Sequence, residues 1–130
     1  MPYIYDDQNV FAKILRGELP CNKFFESEHS LAFEDIAPIA PKHYLVIPKG
    51  HYVCFDDFSN NASLEEIVDY IQTIGKVAEL LGLAPGHSGE GYRLLSNVGK
   101  DGVQMVPHLH VHLLGGKPLG RMLPDMIKEQ

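Results

Sequence analysis

The sequence predicts an α+β fold: a mostly antiparallel sheet of five strands covered by two helices. Three observations carry that expectation. Five short apolar or alternating segments are bounded by turn residues, two segments repeat apolar residues at helical spacing, and several connections are too short for the crossovers that parallel strands need.

The elements follow in order. From Asn9 to Arg16, the residues Val10, Phe11, Ile14 and Leu15 recur at helical spacing, with Asp6 or Asp7 as the cap and Gly17 as the stop. Lys23 to Ser27 and Leu31 to Glu34 read as the strands of a hairpin turning around Glu28, His29 and Ser30. Pro38 and Pro41 make the stretch from Asp35 to Lys42 a connection, because proline denies the backbone a donor. His43 to Ile47 is a buried strand, ended by Pro48 and Gly50.

Ser63-Leu64-Glu65-Glu66 has the form of a capping box and opens the second helix. Leu64, Ile67, Val68, Ile71, Ile74, Ala78 and Leu81 give that helix one apolar face, and Gly82 ends it. A loop rich in Gly and Pro, Leu83 to Gly91, leads to a strand from Tyr92 to Asn97. A second loop with glycines, Val98 to Gly102, precedes the last strand, which lies between Pro107 and Gly115.

With 130 residues and no internal repeat or linker, the chain reads as a single domain, residues 1–130, with a C-terminal tail over residues 117–130. The longest apolar run, Tyr44 to Pro48, is far short of the ~20 residues of a membrane span, so no membrane association is expected. The start, MPYIYDDQNV, is acidic where an export signal is basic and then apolar, and Cys21 and Cys54 are isolated. Both features fit a reducing cytoplasm, with a disulfide between the two cysteines left open. Eleven basic residues against 17 acidic ones give a net charge of -6, which argues against a nucleic-acid partner. A small anion remains an acceptable ligand where imidazoles or loop amides oppose its charge.

The last strand reads PHLHVHLLG and places His108, His110 and His112 at every second position. Successive side chains on a strand alternate faces, so the three imidazoles share one face while Leu109, Val111 and Leu113 share the other. Alternate residues lie roughly 6.5–7 Å apart, a spacing that suits a phosphoryl group handled by two or three rings. A single strand histidine is ordinarily a surface or satisfied core residue, but three in strict alternation are not explained that way. Structural zinc is disfavoured because there is no C-x-x-C pair to complete four ligands, and an expression tag would not interleave Leu and Val.

His108-Leu109-His110-Val111-His112-Leu113-Leu114 resembles the signature of the histidine triad (HIT) family of nucleotide hydrolases and transferases. The blocks Phe11 to Pro20, Leu31 to Ile36, Ala40 to Lys49 and Gly91 to Asn97 are similar to that family's blocks, in its order, and cover nearly the whole chain. The small size and the Leu113 to Gly116 ending look most like the Hint branch, the purine nucleoside phosphoramidases. That resemblance implies a HIT-like fold, a homodimer, a bound purine nucleotide and no cofactor or metal.

It also implies roles residue by residue. His110 matches the nucleophile, His108 and His112 its supporting neighbours, and His43 the fourth histidine of the site. Asp35 matches the carboxylate that holds the ribose hydroxyls; read alone, it is equally a turn cap ahead of Pro38. Val10, Phe11, Ile14, Phe33 and Ile36 match the apolar slot for the base, positions that would otherwise be core. Asn97 and Gln104 match polar positions near the phosphate, together with loop amides up to Val103. The chemistry is consistent: neutral imidazole is nucleophilic near pH 7, and a neighbouring imidazole can donate to phosphoryl oxygens and to the leaving group.

Two departures stand out. Met105 occupies a place where the branch often has a serine that donates to the leaving group, and a thioether cannot donate. Asn9 and Ala12 stand where some bacterial relatives carry the cysteines of a zinc knuckle. The expected activity is hydrolysis of purine nucleoside phosphoramidates or acyl-nucleotides through a nucleotidyl-histidine. The alternatives are a dinucleoside polyphosphate hydrolase of the Fhit kind and a nucleotide-binding scaffold protein. Met122, Leu123, Met126 and Ile127 of the tail offer cover for a dimer surface or for the rim of the pocket.

Overall fold

The computed structural model describes residues 3–123; Met126 and Ile127 of the tail lie outside them. Helix α1 (Val10–Leu15) is followed by strands β1 (Lys23–Glu26), β2 (Ser30–Glu34) and β3 (Lys42–Pro48). Helices α2 (Phe55–Asn61) and α3 (Leu64–Leu80) come next, then a single 3₁₀ turn at Pro85–His87 and strands β4 (Tyr92–Leu95) and β5 (Val111–Gly115). The strands form one sheet in the order β1-β2-β3-β5-β4, antiparallel at every pairing. No helix among the described residues is long and apolar enough to cross a membrane.

Among the described residues three α-helices stand where two were expected. The sequence FDDFSNN of α2 has no sustained helical period and is rich in residues of low helix propensity. It folds because Phe58 is buried and because the Asp57 carboxylate accepts the Val53 N–H at 2.8 Å and the Asn61 amide at 2.9 Å. At α1 the cap is neither Asp6 nor Asp7 but Asn9, whose carbonyl oxygen accepts the N–H groups of Phe11 and Ala12. Gly17, at φ +80°, ends that helix as expected.

The capping box of Ser63 and Glu66 is present at α3, but the buried stripe is Tyr70, Thr73, Ile74, Val77 and Ala78. Leu64, Val68 and Ile71 of the expected face are exposed. Tyr70 and Thr73 can be buried because their hydroxyls donate, to the Val46 carbonyl and to Ser27 Oγ, so their polar tips cost little inside.

Register divides the sheet between two layers. On one face Ala32, Val46, Val111 and Leu113 pack with Tyr70, Ile74 and Val77 of α3. On the other, Leu31, Phe33, Leu45 and Ile47 pack with Phe11 of α1. His43 and His112 belong to this second face, since Leu45 pairs with His112 and His43 with Leu114. The α3 layer holds the larger core, and the α1 layer is the thinner one.

Candidate active site

The ladder of the last strand begins at Val111, three residues later than the first histidine. His108 and His110 therefore sit on a lead-in that pairs with no strand, in keeping with Pro107 just before it. The three rings nevertheless share one side. Phe11 meets His108 and His110 edge-on at centroid distances of 6.3 and 5.0 Å, and His110 meets His112 at 5.1 Å.

Hydrogen bonds assign the protons. His110 Nδ1 lies 2.7 Å from the carbonyl oxygen of His108, which can only accept, so Nδ1 carries the proton and Nε2 keeps a lone pair. Ser96 Oγ donates to the His110 carbonyl at 2.8 Å and steadies the same residue from behind. At His43, Nδ1 accepts the Ile39 N–H at 3.2 Å, which leaves the proton on Nε2. That Nε2–H faces His112 Nδ1 at 2.9 Å, so the other nitrogen of His112, Nε2, is a donor. Asp35 Oδ2 also lies 3.3 Å from His43 Nε2, and Asp35 Oδ1 accepts the Ala37 N–H.

Burial holds all four imidazoles neutral at pH 7. It pushes His108 down to about 4, against the opposing effect of the bond to Pro48 O, and lowers His110 and His43. His112 is also pushed down to about 4, first by burial and then by its neighbours His110 and His43, with Asp35 pulling the other way. A neutral ring with a free Nε2 is what nucleophilic attack requires.

Asp35, His43 and His112 are the group among the described residues whose donor atoms converge closely enough for a cation, all within 4.8 Å of one another. The nitrogens that would bind it already share a proton, which makes this a hydrogen-bonded relay. Cys21 and Cys54 are both free thiols and belong to no such group.

The remaining expected residues divide. Phe11 and Phe33 are buried and touch edge to face at 5.7 Å, and Ile14 packs against the same cluster. Val10 is exposed, and Ile36 is 97% exposed and stands out beside Asp35. Asn97 is half-buried just beyond β4, with no side-chain hydrogen bond among the described residues. Gln104 is occupied by its own loop: its amide donates to the carbonyls of Val53 and Val106, and its oxygen accepts the Gly99 N–H. Val103 is exposed and adopts φ +56°, a left-handed conformation costly for a β-branched residue. Met105 is exposed.

Sequence reasoning missed two contributors. Ser96 gave no signal beyond its place at the end of a strand. Tyr5 reaches the site from an irregular segment 103 residues away: its hydroxyl lies 2.6 Å from His108 Nδ1.

Comparison with known proteins agrees with this architecture. The HIT domain model matches residues 16–119. An uncharacterized HIT-like protein of Azospirillum brasilense is 54% identical over 123 residues, covering 95% of this chain and 98% of that one. The purine nucleoside phosphoramidase of Escherichia coli is 40% identical over 118 residues, covering 90% and 94%. Among solved structures, a HIT family hydrolase from Clostridium thermocellum superposes with a TM-score of 0.80 at 40% identity, covering 91% of this chain and 99% of that one. On its sheet, its histidine strand and these relatives together, the chain belongs to the HIT domain family.

Proposed function

We propose that this protein is a hydrolase of purine nucleoside phosphoramidates or acyl-nucleotides that releases a nucleoside monophosphate through a covalent intermediate on His110. The observation that carries the reading is the bond from His110 Nδ1–H to the His108 carbonyl, because it leaves Nε2 unprotonated and free to attack. In the first step Nε2 bonds to phosphorus as the bond from phosphorus to the amine breaks, and the departing nitrogen takes a proton. His112 Nε2–H is the donor closest in kind to that need, supporting the phosphoryl oxygens and the leaving group. Water then bonds to phosphorus, the bond to Nε2 breaks, and the proton released by water restores the donor.

The rest of the cleft suits a nucleoside. The Asp35 carboxylate accepts both vicinal ribose hydroxyls, and Phe11 and Phe33 floor an apolar slot flanked by Val10, Ile14 and Ile36. Exposed Val10 and Ile36 have a use there, since a planar base covers apolar surface that otherwise meets water. The free amide of Asn97 serves the phosphate side; Gln104 shapes the loop rather than reaching the ligand.

A homodimer forms part of this reading. Strand β4 is an open edge, and beside it an apolar groove of about 540 Å³ is lined by Phe55, Ile67, Ile71, Leu94, Leu95 and Val111. A second copy laid along that edge covers the groove and pairs the free backbone groups.

The test is turnover of an adenosine phosphoramidate carrying a fluorogenic amine. The wild-type chain is expected to release fluorophore and AMP, with a His110→Ala variant slower by at least about 10³-fold. Equal rates for the two proteins reject the proposal. A preference of orders of magnitude for diadenosine polyphosphate would move the substrate class.

A further inference from the structure

The residues that carry the nucleophile are not held by the sheet. The β5 ladder starts at Val111, and the segment from His108 to His110 has one backbone tie to a distant residue, the Leu109 N–H to the Tyr52 carbonyl at 2.8 Å. Its position rests on side chains. His108 is fully buried, and Nε2 lies 2.8 Å from the Pro48 carbonyl, which accepts its proton. Nδ1 is then an acceptor, and the Tyr5 O–H donates to it at 2.6 Å. The Tyr5 ring stacks on His51 with centroids 4.3 Å apart and planes within 9°.

We propose that Tyr5 is a positioning residue of the active site: its hydroxyl fixes the His108 ring, and His108 in turn presents the carbonyl that orients His110 for attack. The inference rests on the reading of His110 as nucleophile. It assigns to an irregular arm a task that ladder hydrogen bonds perform elsewhere in the sheet. A second tyrosine of the arm, Tyr3, donates to Asp56 Oδ2 at 2.7 Å and has no hydrogen bond to the triad among the described residues, which makes it the natural comparison.

The experiment compares wild type, Tyr5→Phe and Tyr3→Phe. Tyr5→Phe keeps the stacked ring and removes only the hydroxyl. It is expected to lower kcat roughly ten- to a hundredfold, with KM within about twofold, because small misplacement of a reacting group costs rate rather than ground-state binding. Tyr3→Phe is expected to leave both unchanged. A second readout is ¹⁵N NMR of the histidines. In the wild type His108 holds one proton, on Nε2, well below neutral pH. Without the hydroxyl Nδ1 loses its partner, so in Tyr5→Phe the His108 ring is expected to titrate at a different pH from the wild type, with changed ring ¹⁵N shifts. The charged and titratable groups that face this pair, His51, His110, Arg16, Asp6 and Asp7, are the same in all three proteins.

Wild-type kcat in Tyr5→Phe overturns the proposal. Equal losses in both variants that track a drop in Tm, with His108 titrating as before, overturn it too, since Tyr5 would then only secure the arm. If the wild-type chain turns over no phosphoramidate, the functional reading falls, and the NMR decides alone. An unaltered His108 titration and ring shift in Tyr5→Phe then rejects Tyr5, and a change in either direction supports it.

Discussion

His43 Nε2 stands 2.9 Å from Nδ1 of His112, and the proton between them belongs to His43. Removing that ring by His43→Ala lets His112 adopt either tautomer and tilt away from the cleft. The expected result is a fall in kcat of roughly ten- to a hundredfold. The ¹⁵N spectrum of His112 is expected to show a mixture of protonated nitrogens. A spectrum with Nε2 alone protonated would refute the assignment.

The depressed histidines make stability depend on pH in one direction. A histidine whose folded pKa lies below its unfolded value binds a proton only on unfolding as pH falls through about 6.5, so the folded state loses stability from there down toward the folded pKa. For His108, pushed down to about 4, the loss between pH 7 and pH 5 is roughly 2 kcal/mol, with His43, His110 and His112 acting in the same direction. Urea unfolding at the two pH values checks it; equal stability at both is the contrary result.

Asp35 is expected to read ribose. Asp35→Asn removes a charged acceptor, and each hydrogen bond to such a group is worth about 1.5–3 kcal/mol. Calorimetric titration with AMP and with its 2′,3′-dideoxy analogue should show the wild type preferring AMP by at least about tenfold, and the variant binding both alike. A wild type that ignores the diol would remove Asp35 from the site.

Ile71→Glu tests the second copy. Ile71 is 60% exposed in the groove beside β4, so a charge there leaves the isolated subunit intact and opposes burial of the face. Sedimentation at micromolar concentration is expected to show a dimer for the wild type and a monomer for the variant. An identical distribution for both proteins would place any dimer contact elsewhere.

Much of this could be read before any coordinates. Alternation in PHLHVHLLG anticipates three imidazoles on one side, although of the three only His112 lies on the ladder, and the capping box locates the start of α3 to the residue. What was illegible depended on distant partners. FDDFSNN is a helix because Asp57 finds Val53 and Phe58 finds the core, neither of which a periodicity count detects. The stripe of α3 moved toward Tyr70 and Thr73 because their hydroxyls have acceptors on the sheet and on the hairpin. Nothing local to Gln104 shows that its amide is shared between the carbonyls of Val53 and Val106. No local pattern marks Tyr5, whose meaning lies entirely in a ring at the far end of the chain.

The division of the sheet into a packed layer and a chemical layer has a consequence for how the protein can change. Leu109, Val111 and Leu113 support the interior while the histidines between them carry the proposed reaction, so the two tasks are interleaved along one ribbon with opposite parity. Inserting or deleting a single residue there would turn imidazoles inward and aliphatics outward together. Variation along this ribbon must therefore come by substitution at fixed length.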